Sequence, residues 1–99
     1  MDQKVLLVGI DGLILNRALS SDRAPTLKNL SEDGFFVETV VDLPTISGPS
    51  WSTLLTGKRL DVHKVIDNYF IDHNLAAAPD FLTQALDHDD SLITYAAAG

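Results

Sequence analysis

The sequence has no cysteine among its 99 residues. A disulfide framework, a thiolate metal site and a cysteine nucleophile are therefore all excluded. Any metal ion that the chain binds must be held by carboxylate, imidazole or hydroxyl groups.

Basic residues are also scarce. Seven lysines and arginines stand against fourteen aspartates and glutamates, and the formal net charge is −7. Proteins bind duplex nucleic acids through a basic surface that displaces counterions from the phosphates. We therefore do not expect a nucleic acid duplex as a partner.

Long apolar runs are missing as well. The longest, Val5–Ile10, is interrupted by Gly9 and is far shorter than the roughly 20 residues that a membrane-spanning helix needs. No membrane association is expected from it. The first residues lack the basic start and the small-residue cleavage site of a signal peptide, which predicts a cytoplasmic protein or a trimmed chain.

The composition is that of a globular protein. With 45 % hydrophobic and 21 % charged residues, the chain has enough apolar side chains for one modest core, and residues 1–99 are predicted to form a single unit. The chain ends at Gly99 directly after a predicted strand, where an α/β fold usually continues. We therefore expect the N-terminal part of a larger domain, with the remainder of the same polypeptide as its partner.

Local patterns predict alternating strands and helices. Runs rich in β-branched and aromatic residues predict three strands, at residues 4–10, 35–41 and 92–98. Three helices are predicted, at residues 24–34, 49–56 and 79–86. The first two have a proline near the start and a glycine at the end, and the third has its apolar residues along one stripe. Residues 13–23 are left as loop or weak helix, and residues 59–74 as irregular. The order predicts an α/β fold with a mostly parallel sheet flanked by helices.

Asp11 is the first candidate functional residue. It follows the predicted strand 4–10 at its carboxyl end, the edge at which open α/β sheets bind ligands. A carboxylate there is well placed for a metal ion. The alternative is that Asp11 and Gly12 only make a turn.

Ser47 is the second candidate. It lies just before the predicted helix 49–56, so a phosphoryl group on its oxygen would meet unpaired backbone N–H groups and the positive end of the helix dipole. The alternative is an ordinary N-cap serine, which stabilises a helix by about 1 kcal/mol and has no catalytic role.

Several short motifs follow one another along the chain in an order that resembles a known protein family. Asp11-Gly12 is followed by the stretch Pro44–Gly57 (PTISGPSWSTLLTG), then by His63 and by Ile66-Asp67-Asn68. This order resembles the start of the alkaline phosphatase superfamily, most closely its type I phosphodiesterase and nucleotide pyrophosphatase branch. The resemblance covers about residues 4–70 and implies an alkaline phosphatase-like core.

The resemblance also implies an activity and a site. Proteins of this branch hydrolyse small phosphate esters or nucleotides with two divalent metal ions, commonly zinc. It implies that Ser47 is the nucleophile, that Asp11 and Ser47 belong to the shell of one metal ion, and that the remaining ligands come from segments downstream. A Ser47 hydroxyl in this role would form a covalent phosphoserine.

Two further residues are candidates for substrate binding. Ser50 stands where the family often has an asparagine that contacts a phosphate oxygen, so here the donor is shorter. Trp51 could stack on a nucleobase or fill the core between helix and sheet. His63 matches a position that is more often structural than metal-binding.

Two alternatives remain open. The segment Ser47–Ser50 with Leu54–Gly57 also looks like the sulfatase signature, although that signature needs an arginine where Trp51 stands. Sulfatases also usually begin with paired aspartates, where this chain has Asp11-Gly12, so phosphate esters are favoured. The other alternative is a catalytically incomplete α/β binding fragment, because one carboxylate and one serine cannot hold two metal ions; the isolated chain would then be nearly inactive.

Overall fold

The computed structural model describes residues 3–98. Over that range the helices are α1 (Leu15–Leu19), α2 (Pro25–Asp33), α3 (Ser47–Thr56), α4 (Leu60–His63) and α5 (Phe81–His88), with a 3-10 helix at Leu75–Ala77. The residues cluster into two compact units that divide between Thr39 and Val40. None of these helices is long and apolar enough to cross a membrane.

The first unit contains α1 and α2, which pack against each other. Pro25 opens α2, where its fixed φ suits the first helical position and its missing N–H would have had no helical partner. The Gly34 N–H donates to the Leu30 carbonyl at 3.0 Å and closes the last turn. The helix predicted over residues 24–34 is therefore confirmed, and part of the segment left as loop or weak helix forms α1.

Helix α3 opens earlier than predicted and ends where predicted. Ile46 has extended backbone angles (φ −114°, ψ 165°) and is the N-cap, so Ser47 is the first helical residue. At the other end Gly57 takes the left-handed conformation (φ 68°), and its N–H donates to the Thr53 carbonyl at 2.9 Å. This is the glycine-terminated helix end that the sequence predicts.

Part of the core of the second unit lies in residues 59–74, the segment that was predicted to be irregular. Helix α4 packs against both α3 and the 3-10 helix. His63 and Val65 are fully buried, and Ala78 is nearly so. The Asn74 N–H donates to the His63 carbonyl at 2.7 Å and holds the chain back against the end of α4.

Helix α5 begins two residues after the predicted start because Asp80 caps it. The Asp80 carboxylate accepts hydrogen bonds from the backbone N–H groups of Leu82 (2.9 Å) and Thr83 (3.1 Å). The hydrogen bond from the Thr83 hydroxyl, together with these amides, lowers the pKa of Asp80. Gln84 Nε2 donates to the Thr56 carbonyl at 3.1 Å and so ties α5 to the last turn of α3.

The predicted α/β fold with a mostly parallel sheet is wrong for the described residues, because no strand occurs between residues 3 and 98. The segments 4–10, 35–41 and 92–98 have no regular secondary structure, and Leu6, Phe35 and Ile93 are 87 %, 88 % and 98 % exposed. An apolar β-branched run forms a buried strand only when other strands pair with its backbone and helices cover its faces. Neither condition is met here.

Candidate functional site

The four predicted site residues are divided between the two units. Asp11 belongs to the first unit, where it lies exposed in a turn with Gly12. Ser47, Ser50 and Trp51 all belong to α3 in the second unit. Three of the four candidates are thus carried by one helix.

Ser47 is the first residue of that helix rather than its cap. The N-cap is Ile46, which has no side-chain group to bond the first turn. The interpretation of Ser47 as an ordinary N-cap serine is therefore wrong. Its side chain is half-buried and lies at the positive end of the helix dipole, which favours negative charge.

The three amide positions that follow Ser47 are not open to a ligand. The Gly48 N–H donates to Asn68 Oδ1 at 2.6 Å, Pro49 has no N–H, and the Ser50 N–H donates to the Ile46 carbonyl at 3.1 Å. The expectation that a phosphoryl group on Ser47 would meet unpaired N–H groups is wrong for these positions. What these positions would offer an anion is therefore the positive end of the helix dipole.

Ser50 and Trp51 share a face of α3 with Ser47. They follow it by three and four residues, the two spacings that place side chains next to each other on a helix. All three residues are half-buried. A group held at Ser47 would therefore have a second hydroxyl and an aromatic ring along the same face.

Gly48 brings a distant segment onto the first turn of α3. A Cβ atom at this position would lie 2.5 Å from the carbonyl oxygen of Asp67 and 2.9 Å from Asn68 Oδ1. Residues 67 and 68 therefore lie directly against the backbone next to Ser47. The sequence resemblance includes the motif Ile66-Asp67-Asn68 but predicts no role for Asn68.

His63 joins the same segment to α3 further along the helix. Its Nδ1 accepts a hydrogen bond from the Val65 N–H at 3.0 Å, and its Nε2 lies 2.9 Å from Thr53 Oγ1. Because Nδ1 accepts, the neutral ring carries its proton on Nε2 and donates to the Thr53 hydroxyl. Both ring nitrogens are engaged, which supports the structural interpretation of His63.

The stability of the protein is expected to fall on mild acidification because of His63. Burial lowers its pKa below the ordinary 6.5, against the opposing charge of Asp61. The unfolded chain then binds a proton at a pH where the folded chain does not, so this contribution is complete above about pH 6.5 and is lost as the pH falls toward the lower folded pKa. The urea midpoint should decrease between about pH 8 and pH 5, above the titration of the carboxylates.

Two glutamine variants isolate this effect. His63→Gln removes the titrating ring and should flatten the pH dependence of the midpoint. His88→Gln removes an exposed histidine at the end of α5 and should keep the wild-type slope. Equal slopes in the wild type and His63→Gln would contradict the assignment.

The described residues do not form a complete metal centre. Asp11 offers a carboxylate and Ser47 a hydroxyl, and both are oxygen donors of the kind that hard divalent ions accept. A catalytic zinc site, however, usually takes three protein ligands. No cluster of three aspartate, glutamate or histidine side chains that could hold a metal ion occurs between residues 3 and 98.

A comparison with known protein families matches almost the whole chain. The family model for type I phosphodiesterase / nucleotide pyrophosphatase matches residues 5–93, a range that includes Asp11, α3 and Asn68. No solved structure matches the chain. The family match confirms the resemblance carried by the sequence motifs. The chain belongs to the type I phosphodiesterase / nucleotide pyrophosphatase family, a family of hydrolases that is generally metal-dependent.

Proposed function

We propose that this chain carries the nucleophile of a metal-dependent phosphodiesterase or nucleotide pyrophosphatase, and that the nucleophile is Ser47. The family acts on small phosphate esters or nucleotides. The observation that carries the proposal is the position of Ser47 as the half-buried first residue of α3, inside the range of the family match.

The proposed reaction has two steps. The Ser47 oxygen bonds to phosphorus while the bond from phosphorus to the leaving oxygen breaks, and the hydroxyl proton ends on the leaving group. Water then attacks the phosphoserine: its oxygen bonds to phosphorus, the bond from phosphorus to the Ser47 oxygen breaks, and a proton from the water returns to that oxygen. Splitting one displacement into two is the general advantage of a covalent nucleophile.

The helix alone supplies little of the stabilisation that this reaction needs. A dipole at a helix terminus stabilises a nearby negative charge by about 0.3 to 1 kcal/mol, whereas enzymes lower barriers by roughly 8 kcal/mol or more. Two divalent ions, with zinc the first to test, are therefore part of the proposal; when bound they supply positive charge to the reacting phosphate. Asp11 and the Ser47 hydroxyl are proposed as ligands, and these two groups do not complete the shells of two ions on their own.

Replacing Asp11 with asparagine is expected to weaken zinc binding by the intact protein. A neutral amide oxygen gives less charge to a cation than a carboxylate does. Removing a residue that only hydrogen-bonds to a metal ligand already lowers the metal affinity roughly tenfold, so the affinity of Asp11→Asn for zinc should fall by more than that. Competition with a chromophoric chelator measures the affinity. Asp22→Asn is the matched control, since Asp22 also lies exposed in a turn of the first unit; an unchanged affinity in Asp11→Asn would rule Asp11 out.

The face that Ser50 and Trp51 share with Ser47 is proposed to bind the substrate. The Ser50 hydroxyl can donate to a phosphate oxygen, and the Trp51 ring can contact the ester group or base beside it. The family match favours phosphate over sulfate esters and an enzyme over a protein that only binds.

Trapping the phosphoserine tests the proposal. The intact protein is mixed with a bis-aryl phosphodiester, quenched during the first turnover and digested. The peptide containing Ser47 should gain the mass of the phosphoryl group with the one aryl arm that it retains. An active enzyme that gives no adduct under these conditions, or an adduct on another residue, would contradict the proposal.

A further inference from the structure

We propose that Asn68 is a positioning residue for Ser47, which it holds through the backbone amide of Gly48. The inference rests on the proposed function, because it takes Ser47 as the nucleophile. It adds a residue twenty positions after Gly48 that acts on Ser47 without touching the substrate.

The first step is the hydrogen bond itself. Asn68 Oδ1 accepts from the Gly48 N–H at 2.6 Å, which is shorter than the roughly 2.9 Å typical of such bonds. The Gly48 N–H and the Ser47 Cα lie in one rigid peptide plane. Fixing this amide therefore fixes the position of the Ser47 Cα, and the helical backbone at Ser47 then sets the direction of the Cβ that carries the hydroxyl.

The second step is the closeness of the packing. The Asp67 carbonyl and Asn68 Oδ1 occupy the space that a Cβ of residue 48 would fill. Gly48 is itself buried. The first turn of α3 therefore cannot shift toward residues 67–68, and the hydrogen bond opposes a shift away from them.

The third step is that Asn68 extends from an anchored segment. His63 and Val65 are fully buried, and the His63 ring is bonded to Thr53 of α3. Asp67 Oδ1 accepts from the Tyr69 N–H at 2.9 Å, so Asn68 is the central residue of an aspartate turn. The segment 63–68 is thus attached to α3 at Thr53 and at Gly48, and Asn68 is presented in one orientation.

Removing the acceptor is expected to lower kcat more than it changes KM. In Asn68→Ala the Gly48 N–H loses its acceptor, so the first turn of α3 can shift. A misplacement of a reacting group by about 1 Å lowers the rate by roughly a hundredfold. We expect kcat to fall about 10- to 100-fold and KM to stay within about threefold. Asn68→Asp keeps an acceptor for the Gly48 N–H and should recover most of kcat, with a KM for anionic substrates that rises at low salt.

A matched control separates positioning from loss of stability. Asp80 caps α5 as an acceptor of two backbone amides, so Asp80→Ala removes a similar bond from a helix that does not carry Ser47. Its stability should fall by a comparable amount while kcat per folded molecule stays unchanged. An equal loss of kcat in Asp80→Ala would overturn the proposal.

The deciding experiment measures the rate of adduct formation on Ser47 in the intact protein, together with hydrogen exchange of the Gly48 amide. Slower adduct formation and faster Gly48 exchange in Asn68→Ala, both reversed in Asn68→Asp, are the expected result. Adduct formation at the wild-type rate in Asn68→Ala would overturn the role of Asn68 and leave Ser47 as the nucleophile. A wild-type enzyme that turns over with no adduct on Ser47 would instead overturn the proposed function.

Discussion

Replacing Ser47 with alanine is expected to abolish the phosphoryl-enzyme and to lower kcat by a factor on the order of 1,000 or more. The attacking oxygen is removed, and the remaining groups can only bind and polarise the substrate. Stability should change by less than about 1 kcal/mol, because Ile46 rather than Ser47 occupies the cap position. Steady-state kinetics with a bis-aryl phosphodiester and a urea titration measure the two quantities.

Two companion variants make this result specific. Ser47→Thr keeps a hydroxyl at the same position and should keep substantial activity. Ser31→Ala removes another half-buried helical serine, in α2, and should leave kcat unchanged. Wild-type turnover in Ser47→Ala would show that another group attacks the phosphate.

Helix ends were predictable where one residue type has a clear reason to stand there. Pro25 and Gly34 bracket α2, and Gly57 terminates α3. Helix starts were less certain, because proline is tolerated throughout the first turn, where its missing N–H has no helical partner in any case. Pro49 therefore marks the first turn of α3 without marking its first residue, and the predicted start fell two residues late.

The sheet was predicted from residue types, the order of the segments and the family resemblance, and none of these shows that the strands pair; that is why the prediction was wrong. The segments 4–10, 35–41 and 92–98 have the residue types of buried strands. β-branched and aromatic residues fit well on the buried surface of a sheet, but a strand also needs a neighbouring strand to pair with its backbone, and residue type does not supply one. In the described chain the three segments remain unpaired, and many of their large apolar side chains are exposed.

The candidate site was predictable only along one helix. Ser47, Ser50 and Trp51 fall on one face as soon as α3 includes Ser47, because their spacing is three and four residues. The contact of Asn68 with Gly48 was not predictable, since it depends on the path of the chain after α4. That path is set by the buried His63, and a lone histidine between Val62 and Lys64 has no sequence signal that distinguishes a buried ring from an exposed one.

Replacing Gly48 with alanine is expected to destabilise the second unit strongly. The added Cβ would lie 2.5 Å from the Asp67 carbonyl oxygen, and a backbone atom cannot rotate away as the end of a side chain can. Overpacking of this kind typically destabilises a protein by about 1 to 3 kcal/mol, and weakening the bond to Asn68 adds about 1 kcal/mol. Alanine's better helix propensity returns about 1 kcal/mol, so a net loss of about 1 to 3 kcal/mol is expected.

The two glycines near the ends of α3 allow a sharp comparison, because they are needed for different reasons. Gly57 has a left-handed φ of 68° but open space around its Cα, so Gly57→Asn, which tolerates that conformation, should be close to wild type in stability. Gly48→Ser should be as damaging as Gly48→Ala, because any Cβ meets Asp67.

Urea unfolding followed by the fluorescence of Trp51, the single tryptophan, reports directly on α3. Wild-type stability in Gly48→Ala would mean that residues 67–68 do not lie against the first turn of α3. The close packing at Gly48 and the positioning role proposed for Asn68 would then both be contradicted.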